Sequence, residues 1–88
     1  MSDNLILQKL FVSKTRVAVL DIFFAKNQSL YESEISFLTK ISRTTVQREV
    51  IKLRNIGLLT VSRTKTRTFY SINKKFIYFP ELKKMFLK

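Results

Sequence analysis

The chain has 88 residues, 45% of them hydrophobic with eight Phe and three Tyr, which suffices for one small core and excludes a disordered segment. It contains neither Cys nor His, which removes disulfides, thiolate and imidazole metal sites, and the commonest general base. Seventeen Lys and Arg against six Asp and Glu leave a net charge of +11, a balance suited to a polyanionic partner.

In chain order, residues 4–11 carry Leu5, Ile6, Leu7, Leu10 and Phe11 and predict a short, unusually apolar helix. Ser13 is a suitable N-cap for a second helix from Lys14 to Lys26, where Val17, Leu20, Phe23 and Phe24 recur at helical spacing. Asn27 terminates it, and residues 29–31 are long enough only for an extended bridge. A brief helix over 32–39 follows, with Glu32 and Glu34 at the positive end of its dipole and Ile35 and Leu38 facing inward. Ser42 caps the next helix, whose Val46, Val50 and Leu53 form a narrow apolar stripe. Gly57 stands at its C′ position, with Leu58 placed to contact Leu53 as a Schellman motif requires.

Two extended runs, 58–64 and 67–73, come next, with Leu59 and Val61 inward on one and Tyr70 and Ile72 on the other. Residues 64–67 lack the Asn-Gly or Asp-Gly signal of a tight hairpin, which predicts a looser, mobile loop. Pro80 opens a last helix over 81–87, with Leu82, Met85 and Phe86 on one side. One Gly, one Pro and no internal repeat predict a single domain over 1–88. There is no targeting segment and no apolar run of membrane-spanning length, which suits a cytoplasmic protein. The interleaving of Phe76, Ile77, Tyr78 and Phe79 with lysines leaves a basic amphipathic membrane segment as a minor alternative.

The charge is segregated. Residues 1–39 hold four basic and four acidic side chains, whereas residues 40–88 hold thirteen basic and two acidic and carry the entire excess. Such asymmetry points to nucleic acid or an anionic surface. No nucleophile–base pair, phosphate-binding glycine loop or pair of metal carboxylates can be assembled, and Glu32 and Glu34 fall on different sides of their helix, so an enzyme is not expected.

The two helices joined at Lys40-Ile41, followed by a basic hairpin, fit a helix-turn-helix over about 32–56 and a wing over about 58–73. In this order, residues 10–17 (LFVSKTRV), 34–39 (EISFLT), 41–49 (ISRTTVQRE), 57–59 (GLL) and 69–73 (FYSIN) resemble the winged helix-turn-helix domains of small prokaryotic transcriptional regulators, the ArsR/MarR-like superfamily. The resemblance covers roughly residues 10–73. It implies a mainly α fold with a small β-hairpin wing, double-stranded DNA as partner, and a homodimer through the terminal helices 4–11 and 81–87. Members of the family usually have Gly where this chain has Lys40, a position that can require positive φ. Metal-sensing members bind their effector through Cys and His, which this chain lacks, so no metal or other cofactor is expected.

Helix geometry opposite Val46, Val50 and Leu53 presents Thr44, Arg48, Ile51 and Asn55, with Gln47 and Lys52 on the flanks. Recognition helices read bases from their N-terminal turns, which makes Thr44, Gln47 and Arg48 the candidate base readers. Arg43, Thr45 and Lys52, with Arg63, Lys65 and Arg67 of the wing, are the candidate backbone contacts. The bland alternatives are a solvated Arg48 paired with Glu49 and a solvated hairpin tip. A winged-helix protein-interaction module and an RNA-binding accessory protein remain the alternative functions.

Overall fold

A computed structural model describes residues 13–87. The helix expected at 4–11 lies outside the described residues. The order is α1 (Lys14–Lys26), β1 (Leu30–Tyr31), α2 (Glu32–Thr39), α3 (Arg43–Asn55), β2 (Leu59–Arg63), β3 (Thr68–Ile72) and α4 (Phe79–Phe86). The three strands form an antiparallel sheet in the order β1-β3-β2. Four helices with a three-stranded sheet bear out the mainly α reading with a hairpin wing.

Both ends of α1 are set by side-chain chemistry. The Arg16 N–H donates to the Ser13 hydroxyl at 3.2 Å, and Asn27 closes the helix in the left-handed conformation, φ 51°. Its buried face is Val19, Leu20, Phe23 and Phe24. The expected stripe is therefore corrected at one position: Val19 is fully buried and Val17 only half-buried. At about 100° per residue Val17 lies beyond Phe24 at one edge of the face, while Val19 flanks Phe23 at the other. Elements α2, α3 and α4 all pack on α1, so the buried arc is wider than a single stripe.

Helix α2 ends at Lys40, which adopts φ 61°, ψ 25° and donates its N–H to the Ser36 carbonyl at 2.8 Å. The departure from glycine thus leaves the turn in place with a Cβ in the left-handed region. Hydroxyls hold it there: Ser36 donates to the Ile41 carbonyl at 2.5 Å, and Thr39 accepts from the Ile41 N–H at 3.3 Å. The inner arc of α2 runs through Glu32, Ile35, Ser36 and Thr39, and only Ile35 is fully buried. Leu38, expected to face inward, sits on the rim and is 36% exposed.

The end of α3 follows the expected Schellman geometry. Gly57, at φ 85°, donates to the Arg54 carbonyl at 2.9 Å, and Leu58 donates to that of Leu53 at 3.0 Å. The root of the hairpin is tied to this cap: the Asn73 side-chain amide donates to the Gly57 carbonyl and its backbone N–H to that of Leu58, both at 2.8 Å.

The strands pair Leu59 with Ile72, Val61 with Tyr70 and Arg63 with Thr68, so these six share the face turned to the helices. Leu59 and Tyr70 are buried, while Val61 and Ile72 pack half-buried against the core. The tip is corrected from a loose loop to a tight turn. Thr64 donates its N–H to the Arg67 carbonyl at 2.8 Å, and its hydroxyl accepts from the Arg67 N–H at 3.1 Å. The threonine hydroxyl thereby stands in for the turn residues the sequence lacks.

Helix α4 starts two residues earlier than expected, with Pro80 in its first turn. Phe86 and Phe79 stack on Phe24 at 5.1 and 6.0 Å between ring centroids, and Leu82 is fully buried. That rotation leaves Met85, expected on the inner side, 48% exposed. Phe76 and Tyr78 are buried in the core, which accounts for the aromatic cluster before the helix without a membrane. Among the described residues no helix is long and apolar enough to cross a membrane.

The left-handed Lys40 yields a prediction. Replacing it with Gly removes a Cβ penalty of about 1–2 kcal/mol and restores about 0.4–1 kcal/mol of unfolded-state entropy. Lys40→Gly is expected to stabilise the fold by roughly 0.5–1 kcal/mol, seen as a rise of a few degrees in Tm.

Candidate nucleic-acid interface

Helix α3 buries Val46, Glu49, Val50 and Leu53 and exposes the rest of its length apart from a half-buried Thr45. The Ser42 hydroxyl accepts from the Thr45 N–H at 3.3 Å and donates to the Thr45 hydroxyl at 2.9 Å, so the first turn is capped. Glu49 is a buried carboxylate on the apolar face. The Arg16 guanidinium of α1 meets it at 2.8 Å, with both side chains largely covered, and Lys52 approaches its other oxygen at 3.9 Å. Arg16 falls between Leu20 and Phe23 on the surface of α1, which directs it at α3. Glu49 therefore turns inward instead of pairing with Arg48, which donates to the Thr45 hydroxyl at 3.5 Å.

Between α3 and the wing lies a groove of about 540 Å³, lined by Arg43 and Gln47 from α3, by Arg63, Lys65 and Arg67 from the hairpin, and by Tyr31 and Glu32. Arg63 reaches it because its side chain continues the row of Leu59 and Val61, past the end of the core and beside α3. Hydroxyls of Ser33, Thr64, Thr66 and Thr68 interleave with the cations.

Five of the nine candidate residues thus share one concavity: Arg43, Gln47, Arg63, Lys65 and Arg67. The other four do not line it. Thr44 and Arg48 lie on the exposed crest of α3, and Thr45 and Lys52 lie on the flank away from the wing. Crest and wing-side flank are adjoining faces of one helix.

Four residues escaped the sequence reading. Glu32 sits in the groove with its carboxylate 3.9 Å from the Arg43 guanidinium and 3.5 Å from the Tyr70 hydroxyl. Arg16 and Glu49 form the buried pair, and Tyr31 lies beneath Arg67, whose guanidinium is 4.2 Å from the ring centroid. Their only sequence signals were a cation within an apolar stripe, a carboxylate within another, a carboxylate in the first turn of a helix, and an aromatic before that helix, each too common to single out.

Burial, with the Glu32 carboxylate beside it, holds the Tyr70 phenol above its ordinary value of 10.0, and Arg54 and Arg63 pull the other way. A folded value above the unfolded one gives a contribution complete below about pH 10 and lost as pH rises through the folded value. Tyr70→Phe is expected to flatten the decline of stability above pH 10, measured by denaturant titration.

No protein-family model matches the chain, and no curated protein matches it at a significant level. Solved structures do. The transcriptional regulator HlyU from Vibrio vulnificus superposes with a TM-score of 0.76 at 21% identity, covering 97% of this chain and 81% of that one. The antimony-specific transcriptional repressor AntR gives 0.78 at 18%, over 97% and 71%, and the transcriptional repressor PagR of Bacillus anthracis 0.72 at 22%, over 97% and 90%. The fold is a winged helix-turn-helix. At these identities the likeness is one of architecture, the one the ArsR/MarR-like resemblance implies. In winged-helix terms α2 and α3 are the helix-turn-helix and β2–β3 the wing.

The buried pair beneath α3 generates a further prediction. Glu49→Ala leaves a largely covered guanidinium without this carboxylate, a change that costs about 3–5 kcal/mol for a fully buried pair. With water reaching one side, a loss of about 2–4 kcal/mol is expected on chemical denaturation.

Proposed function

We propose that the chain is a cytoplasmic transcriptional regulator that binds double-stranded DNA sequence-specifically, with α3 in the major groove and the wing on the backbone or in the minor groove. The observation that carries this reading is the groove in which Arg43 and Gln47 of α3 stand beside Arg63, Lys65 and Arg67 of the wing. A helix with an exposed polar crest suits the major groove, and a cationic hairpin at its side suits the adjoining phosphates. The transcriptional repressors and regulators among the similar structures support it as a likeness of fold.

In this reading Thr44, Gln47 and Arg48 contact base edges, Gln pairing with adenine and Arg with guanine. Arg43, Thr45, Lys52, Arg63, Lys65 and Arg67 bind phosphates. The two flanks of α3 divide them: Thr45 and Lys52 meet one strand, and Arg43 with the wing meets the other. Two copies joined through their terminal helices would present two such surfaces to a palindromic site. The exposed Ile77, Met85 and Leu87 are apolar surface available to that contact. No catalytic step is part of the proposal.

Selection of bound duplexes from a random pool tests recognition and symmetry together, because a dimer returns paired half-sites at a fixed spacing. Affinity should also fall steeply with salt. With about five phosphates per copy the log–log slope is expected near −4.5, or about −9 for a dimer, and a flat response would refute the reading. Arg48→Ala should relax preference at one base pair, at a cost of about 1–3 kcal/mol on the selected site. Lys65→Ala should weaken selected and random duplexes alike and reduce the slope by about one. Equal effects of both substitutions on both duplexes would remove the division of roles.

A further inference from the structure

We infer that Tyr31 is a positioning residue of the duplex interface, acting through the wing cation Arg67. The inference rests on the DNA-binding reading above and adds a residue that belongs neither to the recognition helix nor to the hairpin.

Three contacts fix Tyr31. In the sheet it pairs with Phe69 of β3, two residues along the chain from Arg67. Its backbone N–H donates to the Glu34 carboxylate at 3.1 Å, which ties it to the first turn of α2. Its ring meets Phe69 edge-on, with centroids 5.6 Å apart and planes at 88°, so the ring cannot swing freely. On this fixed ring lies the Arg67 guanidinium, 4.2 Å from the centroid.

An arginine at a hairpin tip ordinarily samples many rotamers and loses that freedom on binding a phosphate. Here the backbone of Arg67 is held by Thr64 and its side chain by Tyr31, so much of the ordering precedes DNA. A guanidinium seated over a ring face still has N–H groups to offer phosphate oxygens, because the ring takes up none of its hydrogen-bond donors. Tyr31 and Arg67 both line the groove with Arg43 and Gln47, so the held cation borders the proposed path of the duplex. Tyr31 thereby links the wing to the start of the helix-turn-helix, and its contribution to affinity passes through Arg67.

A double-mutant cycle on the selected duplex tests this, with Tyr31→Phe, Tyr31→Leu, Arg67→Gln and Tyr31→Leu/Arg67→Gln. Phe keeps the ring face and should bind as wild type. Tyr31→Leu should weaken binding about two- to fivefold, the range of an exposed cation–π contact. In the Arg67→Gln background the same change should cost nothing further. Equal weakening by Tyr31→Leu in both backgrounds is the mark of a purely structural role and overturns the inference. NMR of the free protein supplies a readout independent of binding and of any variant's folding. The Arg67 side-chain protons should show upfield ring-current shifts, and shifts at exposed-arginine values would also overturn it. Wild type binding no duplex sinks the DNA reading and this inference together, whereas duplex binding with additive effects sinks this inference alone.

Discussion

The molecule depends on how little of α3 is buried. Val46, Val50 and Leu53 form a stripe narrow enough that one helix both anchors in the core and presents most of its circumference to solvent. A wider apolar face would hold the helix more firmly and leave fewer of its positions exposed. Glu49 resolves part of that conflict. It extends the buried face with a carboxylate that Arg16 of α1 grips at 2.8 Å, adding a directional contact where another aliphatic would add only area. A packed stripe alone tolerates some rotation of the helix about its axis; a hydrogen-bonded ion pair at its edge resists it.

Electrostatics organise the opposite side. The excess charge of residues 40–88 comes from α3, the hairpin and the C-terminal segment, and the fold brings the first two against one groove. The groove is not purely cationic. Glu32, held by the first turn of α2, stands between Arg43 and the Tyr70 hydroxyl and offsets repulsion among the arginines around it. An anion arriving there would compete with Glu32 for Arg43, at 3.9 Å a loose and exposed partner whose release costs little.

Most of the architecture was legible in the sequence because its signals are local. Ser13 and Ser42 cap helices through their own hydroxyls, Asn27 ends one by adopting the left-handed conformation, and Gly57 with Leu58 completes a Schellman motif. Periodicity identified the stripe of α3, and with it the exposed positions. What escaped depends on which elements meet. Val19 is buried because three helices pack around α1, and Met85 is displaced because Phe24 draws Phe79 and Phe86 toward it. The turn at the hairpin tip was misread because a threonine hydroxyl can close it as well as the usual Asn-Gly pair. In the candidate site the cations were found from type and order. Glu32, Glu49, Arg16 and Tyr31 were not, since their roles come from partners up to 38 residues away and no spacing rule reaches that far.

The bond from the Asn73 amide to the Gly57 carbonyl governs how the hairpin is mounted. The stop signal of α3 doubles as the hinge plate of the wing, so the pitch of the hairpin against the helix axis is decided at its foot. Lengthening or shortening the strands beyond Val61 and Tyr70 would then change the reach of the wing without altering its bearing. Such a mounting lets one scaffold carry wings of different reach by altering only the outermost residues.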